Sequence, residues 1–481
     1  MSRLLFKDIS VLVAWNEAAQ AHETRENVNL LVDGSVISSI GKDVGDPDAT
    51  VISARGKLVL PGFVNIHTHP AHEPLNKGLS EEVGTPTMGM SSLYEFLHLM
   101  NADPDTHRAA ALLAIWEMLK SGVTTFVDYS PPRPNWLADV AGTGIRTVVG
   151  PMFRDGRWKM TASDRVDYLW DPGAGKDAYD HALSILDAAA AHPSGKLSGM
   201  MAPAQIDTCT PELLELCADE ARRRKIPIQI HAAQSVVEFD AIWSRHGVTP
   251  IKWLANTGML APDLIIGHAI YLDQHSRIQR PPYADMELLA QSGASVAHCP
   301  IQFGRRGNTL ENFGLYRRNG INVAIGTDTY PHNFLEEMRW ASVLSRVSAR
   351  DVRSTSLTDI FRAGTVGGAD ALGRKDIGRL APGMAADLVM ADLNHPMMMP
   401  TRDPVSALLY SALDRAVTDV FVGGDHIVRD GEVLTIDIGA VLAQVREGYA
   451  HAVEKIPQQD YASRTIEDIA PSIIAKAVHE Y

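Results

Sequence analysis

Cysteine is scarce in this chain of 481 residues: Cys209, Cys217 and Cys299 are odd in number and show no CxxC spacing. That excludes a disulfide framework and points to free thiols in a reducing compartment, the cytoplasm. Long hydrophobic runs are missing as well, and no stretch of 18 apolar residues is present to cross a membrane. The opening MSRLLFKDISVLVAWNEA alternates like a strand, without the apolar core and small-residue cleavage site of a signal peptide. Positive charge is in deficit. With 44 Lys and Arg against 58 Asp and Glu, the net charge of −14 repels nucleic acid and anionic membrane. No fixed-period repeat occurs, and the only biased tract, Met397-Met398-Met399, reads as a packing segment rather than a metal site. What remains is an ordinary soluble composition, 45% hydrophobic and 21% charged, with apolar mass for a sizeable core. At roughly 100–200 residues per domain, the length allows two to four domains or one large barrel with additions. Histidine is plentiful, at 18 residues, and is the type to follow along the chain.

From Phe63 onward, short apolar runs alternate with longer helical patterns, as in β/α units around a parallel sheet. Eight runs can be counted: 63–69, 124–130, 146–153, 197–205, 227–234, 264–270, 295–301 and 322–330. Amphipathic stretches lie between them, such as 105–122, with Gly122 as a stop, and 211–225, with Pro211 in its first turn. Eight strands with helices predict an α/β fold, a (β/α)8 TIM barrel over 61–379. An open doubly wound sheet is the competing architecture. Residues 1–60 and 380–437 alternate as short strands with turn signals and predict one small β-sandwich assembled from both ends of the chain, into which the barrel is inserted. Residues 438–481 are helical by periodicity, placed on the outside or at a subunit contact of a homo-oligomer, a dimer or tetramer.

His67 and His69 stand at the end of the first run, and in a strand i and i+2 face the same way, so two imidazoles lie side by side at the barrel mouth. Alone, an HxH is more often structural. His231 ends the fifth run, however, His268 lies in the sixth, His298 in the seventh and Asp328 in the eighth. If the barrel closes, a divalent ion at the mouth takes two imidazoles from strand one, one from strand five and a carboxylate from strand eight, a set that suits Zn²⁺. Each histidine taken singly could as well be a satisfied core residue.

The strings LPGFVNIHTHP (60–70), IQIHAAQ, IIGHAI, VAHCP, IGTD, ADLVMADL and VFVGGDHIVRDG together resemble the amidohydrolase superfamily. They are most similar to its branch of triazine hydrolases, guanine deaminases and cytosine deaminases. The resemblance covers nearly the whole chain. It implies one divalent metal ion, Zn²⁺ or alternatively Fe²⁺, Mn²⁺ or Co²⁺, on His67, His69, His231 and Asp328. It also implies that His268 hydrogen-bonds the attacking water or the substrate carbonyl. Binuclear relatives bridge their metals with a lysine at the end of strand four; the run 197–205 has none, so a mononuclear site is expected.

A divalent ion lowers the pKa of its bound water, and Asp328 can take a proton from that water as it attacks a trigonal carbon, so Asp328 and His268 are the expected catalytic pair. Deaminases of the branch carry HxxE after strand five, but here the tetrad is His231-Ala232-Ala233-Gln234. Gln234 can hydrogen-bond substrate but has no proton to exchange near neutrality. The first expectation is therefore hydrolysis of a C–N bond in a small amide, carbamate or urea. The alternative is a deaminase or dechlorinase of a triazine, purine or pyrimidine-like heterocycle, and a metal-free scaffold is the third reading. His72, His298 and His332 are further candidates to touch substrate, with His298 equally readable as a buried histidine bonded to backbone. Glu73, Glu81 and Glu82, and the pair Arg305-Arg306, read mainly as solvated charge, although the arginines could attract an anionic substrate. Asp128 reads as structural. Phe96, Trp116, Trp136 and Trp158 read as core more than as pocket walls.

Overall fold

The computed structural model describes residues 3–474; residues 1–2, and 475–481 of the expected C-terminal helical extension, lie outside the described residues. Eight parallel strand positions follow one another through the middle of the chain. Phe63–Asn65, Val123–Ser130, Arg146–Phe153 and the broken pair Leu197–Gly199 and Ala202–Pro203 form one half. Ile228–Ala232, Leu264–His268, Ser295–His298 and Asn322–Ile325 form the other. Parallel bridges Met201 to Ile228 and Gln205 to His231 join the halves on one side, and Thr68 to Asp328 joins them on the other. The Ile66 N–H also donates to the Ile325 carbonyl at 3.2 Å. The sheet thus closes on itself, which a doubly wound sheet does not, and the fold is a TIM barrel with a sheet domain.

The strands form because they are buried on both faces, where near-continuous apolar runs are favoured. Val64, Ile66, Val127, Tyr129, Ile265, Ala297 and Ala324 share one interior cluster. Phe63, Phe126, Val149, Ile230, Ile266 and Val323 face the outer helices in the largest cluster. Each such large side chain contributes about 1.5–3 kcal/mol on burial. The helix Pro104–Lys120 begins where Asp103 accepts from the Thr106 N–H at 2.8 Å, with Pro104 in the first turn. It ends before Gly122, whose φ of 86° and close approach to Phe63 need a residue without a Cβ.

Strands from both ends of the chain share one nine-stranded sheet. Lys57–Pro61 pairs antiparallel with Leu388–Asp392, so the segments that enter and leave the barrel lie side by side. The helix Ile438–Glu454 packs on Pro104–Lys120 so closely that a Cβ at Gly448 would meet Thr106 Oγ1. One element had no counterpart in the sequence reading, a hairpin of Gly156–Ala162 and Arg165–Trp170 after the third barrel strand. No described helix is long and apolar enough to cross a membrane.

Candidate active site

His67 and His69 lie just past the first strand, not within it. They are held there by the eighth strand: the Asp328 N–H donates to the His67 carbonyl at 2.8 Å, and the His69 N–H to the Asp328 carbonyl at 2.9 Å. Asp328 itself sits at φ 59°, Ala233 after His231 at 54° and Ala269 after His268 at 50°. Backbone in this left-handed region costs non-glycine residues energy, and it is concentrated here where three strands end.

Each of three imidazoles has its Nδ1 edge committed to an oxygen. His69 Nδ1–H donates to the Tyr129 carbonyl at 2.5 Å and His231 Nδ1–H to the Ala204 carbonyl at 2.6 Å. His67 Nδ1 lies 3.0 Å from Gln229 Oε1, and Gln229 is oriented because its Nε2 donates to the Ile66 carbonyl at 2.8 Å. A carbonyl only accepts, so these contacts place the proton on Nδ1 and leave the Nε2 lone pairs turned inward. His67 Nε2 and His69 Nε2 lie 3.4 and 3.3 Å from Asp328 Oδ1, and His69 Nε2 lies 3.1 Å from His231 Nε2. Two lone pairs at that distance repel unless a cation lies against both. His67 Nε2 is moreover buried with no hydrogen-bond partner. One candidate atom from each of His67, His69, His231 and Asp328 lies within 4.8 Å of every other, so the four fit a metal ion.

The charges in the site act in opposite directions on its histidines. Burial tends to neutralise Asp328, but His268, His67 and His69 outweigh it and hold the carboxyl well below its usual range. Burial opposes charge on His69, while the Asp328 carboxylate overrides it and raises its pKa, so without a cation in the site this imidazole tends to hold a proton that a metal ion would displace. Burial, and then the neighbouring imidazoles, drives His231 well below its usual value, keeping it neutral as a ligand must be. A second set, His67, His268, Cys299 and Asp328, also lies within 4.8 Å. Its cysteine is fully buried, with the thiol pushed well up by burial and next by the Asp328 charge.

The Amidohydrolase family model matches residues 58–427. The chain belongs to the amidohydrolase family. A 5-methylthioadenosine/S-adenosylhomocysteine deaminase of Natronomonas pharaonis is 31% identical over 435 residues, covering 87% of this chain and 92% of that protein. An adenosine deaminase from Xanthomonas campestris with bound zinc superposes with a TM-score of 0.78 at 23% identity, covering 94% of this chain and 98% of that one. Zinc-complexed atrazine chlorohydrolase TrzN from Arthrobacter aurescens TC1 does so with a TM-score of 0.75 at 21% identity, over 93% and 100%. This amidohydrolase is a metal-dependent hydrolase of non-peptide carbon–nitrogen bonds.

The other candidates are placed as follows. His268 Nε2 lies 3.6 Å from Asp328 Oδ2, its Nδ1 is buried without a partner, and burial lowers its pKa to about 3. Gln234 is buried on the loop after the fifth strand, its N–H held by Glu238 Oε2 at 3.2 Å and its Nε2 unpartnered. His332 is fully buried, 3.9 Å from Glu117 Oε2, with neither ring nitrogen bonded. His298 packs on Phe313, with ring centres 5.6 Å apart, and His72 packs on His107 at 4.4 Å. Asp128 is structural, accepting from Ser130, Arg133 and Trp136. Phe96 and Trp136 are core residues, whereas Trp158 lies half-buried in the hairpin against Tyr94. Glu81 and Glu82 stay near solvent, but Glu73 is buried and its carboxyl is raised to about 7 by burial and then by the charge of Asp328. Sequence reasoning passed over Gln229 and Phe303. Gln229 stands two residues before His231 on the same strand face, a polar residue in an apolar run, and that was its signal.

Proposed function

We propose that this enzyme removes the amino group of an aminated N-heterocycle with release of ammonia, using one divalent ion, zinc, on His67, His69, His231 and Asp328. The observation that carries the reading is the convergence of three Nδ1-anchored imidazoles and one carboxylate at the mouth of the barrel. The bound ion supplies Lewis acidity and lowers the pKa of water. The Asp328 carboxylate accepts the proton of the attacking water and returns it to the departing nitrogen. His268, neutral and with an unbonded Nδ1, is placed to hold the oxygen that develops negative charge. The Gln234 amide donates its free Nε2–H to a ring nitrogen and fixes the ring without exchanging a proton. Deamination is preferred because the similar full-length curated relatives act on adenosine derivatives.

One feature favours a second reading, hydrolysis of an open-chain amide, carbamate or urea: Gln234 stands where a proton-exchanging side chain would serve a ring nitrogen. A product assay over aminated purines, pyrimidines and triazines, and over amides, carbamates and ureas, separates the two. Ammonia from the rings is expected; larger amines from open-chain substrates alone would overturn the deaminase reading. Gln234→Glu is expected to raise ammonia release by about 10²-fold or more, the scale of one added general acid, with an unchanged rate contradicting the placement of Gln234 against the ring.

A further inference from the structure

Arg305 and Arg306 follow the short helix Pro300–Gly304, which begins directly after the seventh strand. Phe303 on that helix sets its ring 4.6 Å from the His268 ring, so the segment lies against the reaction centre. Instead of a solvated face, the structure half-buries both arginines and ties them together. Gln302 Oε1 accepts from Arg305 Nη2 at 2.8 Å, from Arg306 Nη1 at 3.0 Å and from Thr329 Oγ1 at 2.8 Å. Arg305 Nη2 also reaches Thr329 Oγ1 at 2.8 Å, one residue from Asp328, and its guanidinium stacks 4.4 Å over the Tyr330 ring. Arg306 Nη2 donates to the Ser80 carbonyl at 2.9 Å, and Ser80 in turn bonds Tyr330 Oη at 2.7 Å.

All of these acceptors are neutral. Among the described residues, neither guanidinium has a carboxylate within 4.0 Å. The Nε of each is buried with no partner. Two adjacent cations half-withdrawn from water without a counter-ion are costly, and the arrangement is stable when an anion completes it. Glu73 and Glu337 do not fill that role: neither carboxylate lies within 4.0 Å of a guanidinium nitrogen of the pair, and Glu337 Oε1 accepts instead from the Ile301 N–H at 2.9 Å.

We infer that the Arg305–Arg306 pair binds a carboxylate carried by the substrate close to the carbon that is hydrolysed. A carboxylate is the choice because its two oxygens pair with a guanidinium through parallel N–H···O bonds, and Arg305 Nη1 and the Nε of both arginines carry no acceptor among the described residues. The inference rests on the reading of this barrel mouth as the reaction centre, and it narrows the substrate to a ring or chain that carries an acid group beside its C–N bond.

The test is calorimetry on the zinc-loaded full chain with benzoate and its neutral isostere benzamide. Benzoate is expected to bind at least about tenfold tighter, the scale of one charge-assisted pair, and Arg305→Gln and Arg306→Gln are each expected to erase the preference. Arg305→Lys, which keeps charge but loses the fork, should retain part of it. Equal binding of benzoate and benzamide by the wild type would overturn the inference, and that comparison stands even if a variant fails to fold. A preference that survives both glutamine variants would place the anion on the metal or elsewhere, and inorganic phosphate binding tighter than benzoate would overturn the choice of carboxylate. An enzyme that deaminates neutral rings yet shows no preference loses only this subsite. A protein that prefers benzoate but hydrolyses nothing keeps the subsite and loses the proposed reaction.

Discussion

At the scale of single residues, the site depends as much on what holds the imidazoles as on the imidazoles. Gln229 is the clearest case, because its amide is fixed by the Ile66 carbonyl and in turn presents Oε1 to His67. Gln229→Leu is expected to weaken zinc binding about 10–100-fold, measured by competition with a chelator, while the fold persists. Unchanged affinity would mean that His67 is oriented by something else. Asp328→Asn keeps the shape but removes the base, and a fall of about 10²–10⁴-fold in kcat is expected. His67, His69, His231 and Asp328 were legible in the sequence because strand ends of a parallel barrel converge and these residue types are rare in apolar runs. Their anchors were less so. The Tyr129 and Ala204 carbonyls belong to the backbone and leave no mark in a sequence, and Glu73 and Arg305 look like solvated loop charges until the loops are folded over the mouth.

At the scale of elements, contacts between the sheet and the barrel introduce a pH dependence. His22 on the strand Ala21–Asp33 lies edge-on between Trp15 and Phe361, the latter on the helix Leu357–Ala363, and its Nε2 contacts Thr365 Oγ1 at 3.1 Å. Burial, followed by the charges of Arg362 and Arg379, lowers its pKa from 6.5 to about 4. The unfolded chain therefore takes up a proton at a pH where the folded chain refuses it. Stability from this group is present above pH 6.5 and is lost as pH falls towards 4. About 1–2 kcal/mol should be lost by pH 5. His22→Asn is expected to flatten the melting temperature between pH 7.5 and 5 by a corresponding amount, and an equal slope in both proteins would show that His22 titrates normally. The strands themselves were read well where burial is continuous: the run 146–153 is the observed Arg146–Phe153. Runs that include chemistry overshoot. The first strand stops at Asn65 and the eighth at Ile325, because the residues beyond turn to the mouth instead of continuing the ladder. The hairpin over 156–170 escaped because its strands are partly exposed and carry mixed charge.

At the scale of the whole molecule, the barrel and the sheet are joined by a buried bidentate pair. Arg146 Nε and Nη2, at the start of the third barrel strand, donate to Asp387 Oδ2 and Oδ1 at 3.1 and 3.0 Å, and the Gly423 N–H donates to Oδ1 at 2.6 Å. Arg146→Met leaves the Asp387 carboxylate without its cation, so about 3–5 kcal/mol of destabilisation is expected in denaturant unfolding. A loss under about 1 kcal/mol would show that water or the Gly423 N–H compensates. Closure of the barrel between its first and eighth strands brings residues far apart in the chain into one frame and sets His67 and Asp328 against each other. The central claim is that this frame holds a single ion. An anomalous difference map recorded on crystals of the zinc-loaded protein at the zinc edge tests it most directly. One peak is expected, at about 2.0–2.2 Å from His67 Nε2, His69 Nε2, His231 Nε2 and an Asp328 oxygen. A crystal with no peak there, or with the ion held by His268 and Cys299 instead, would contradict it.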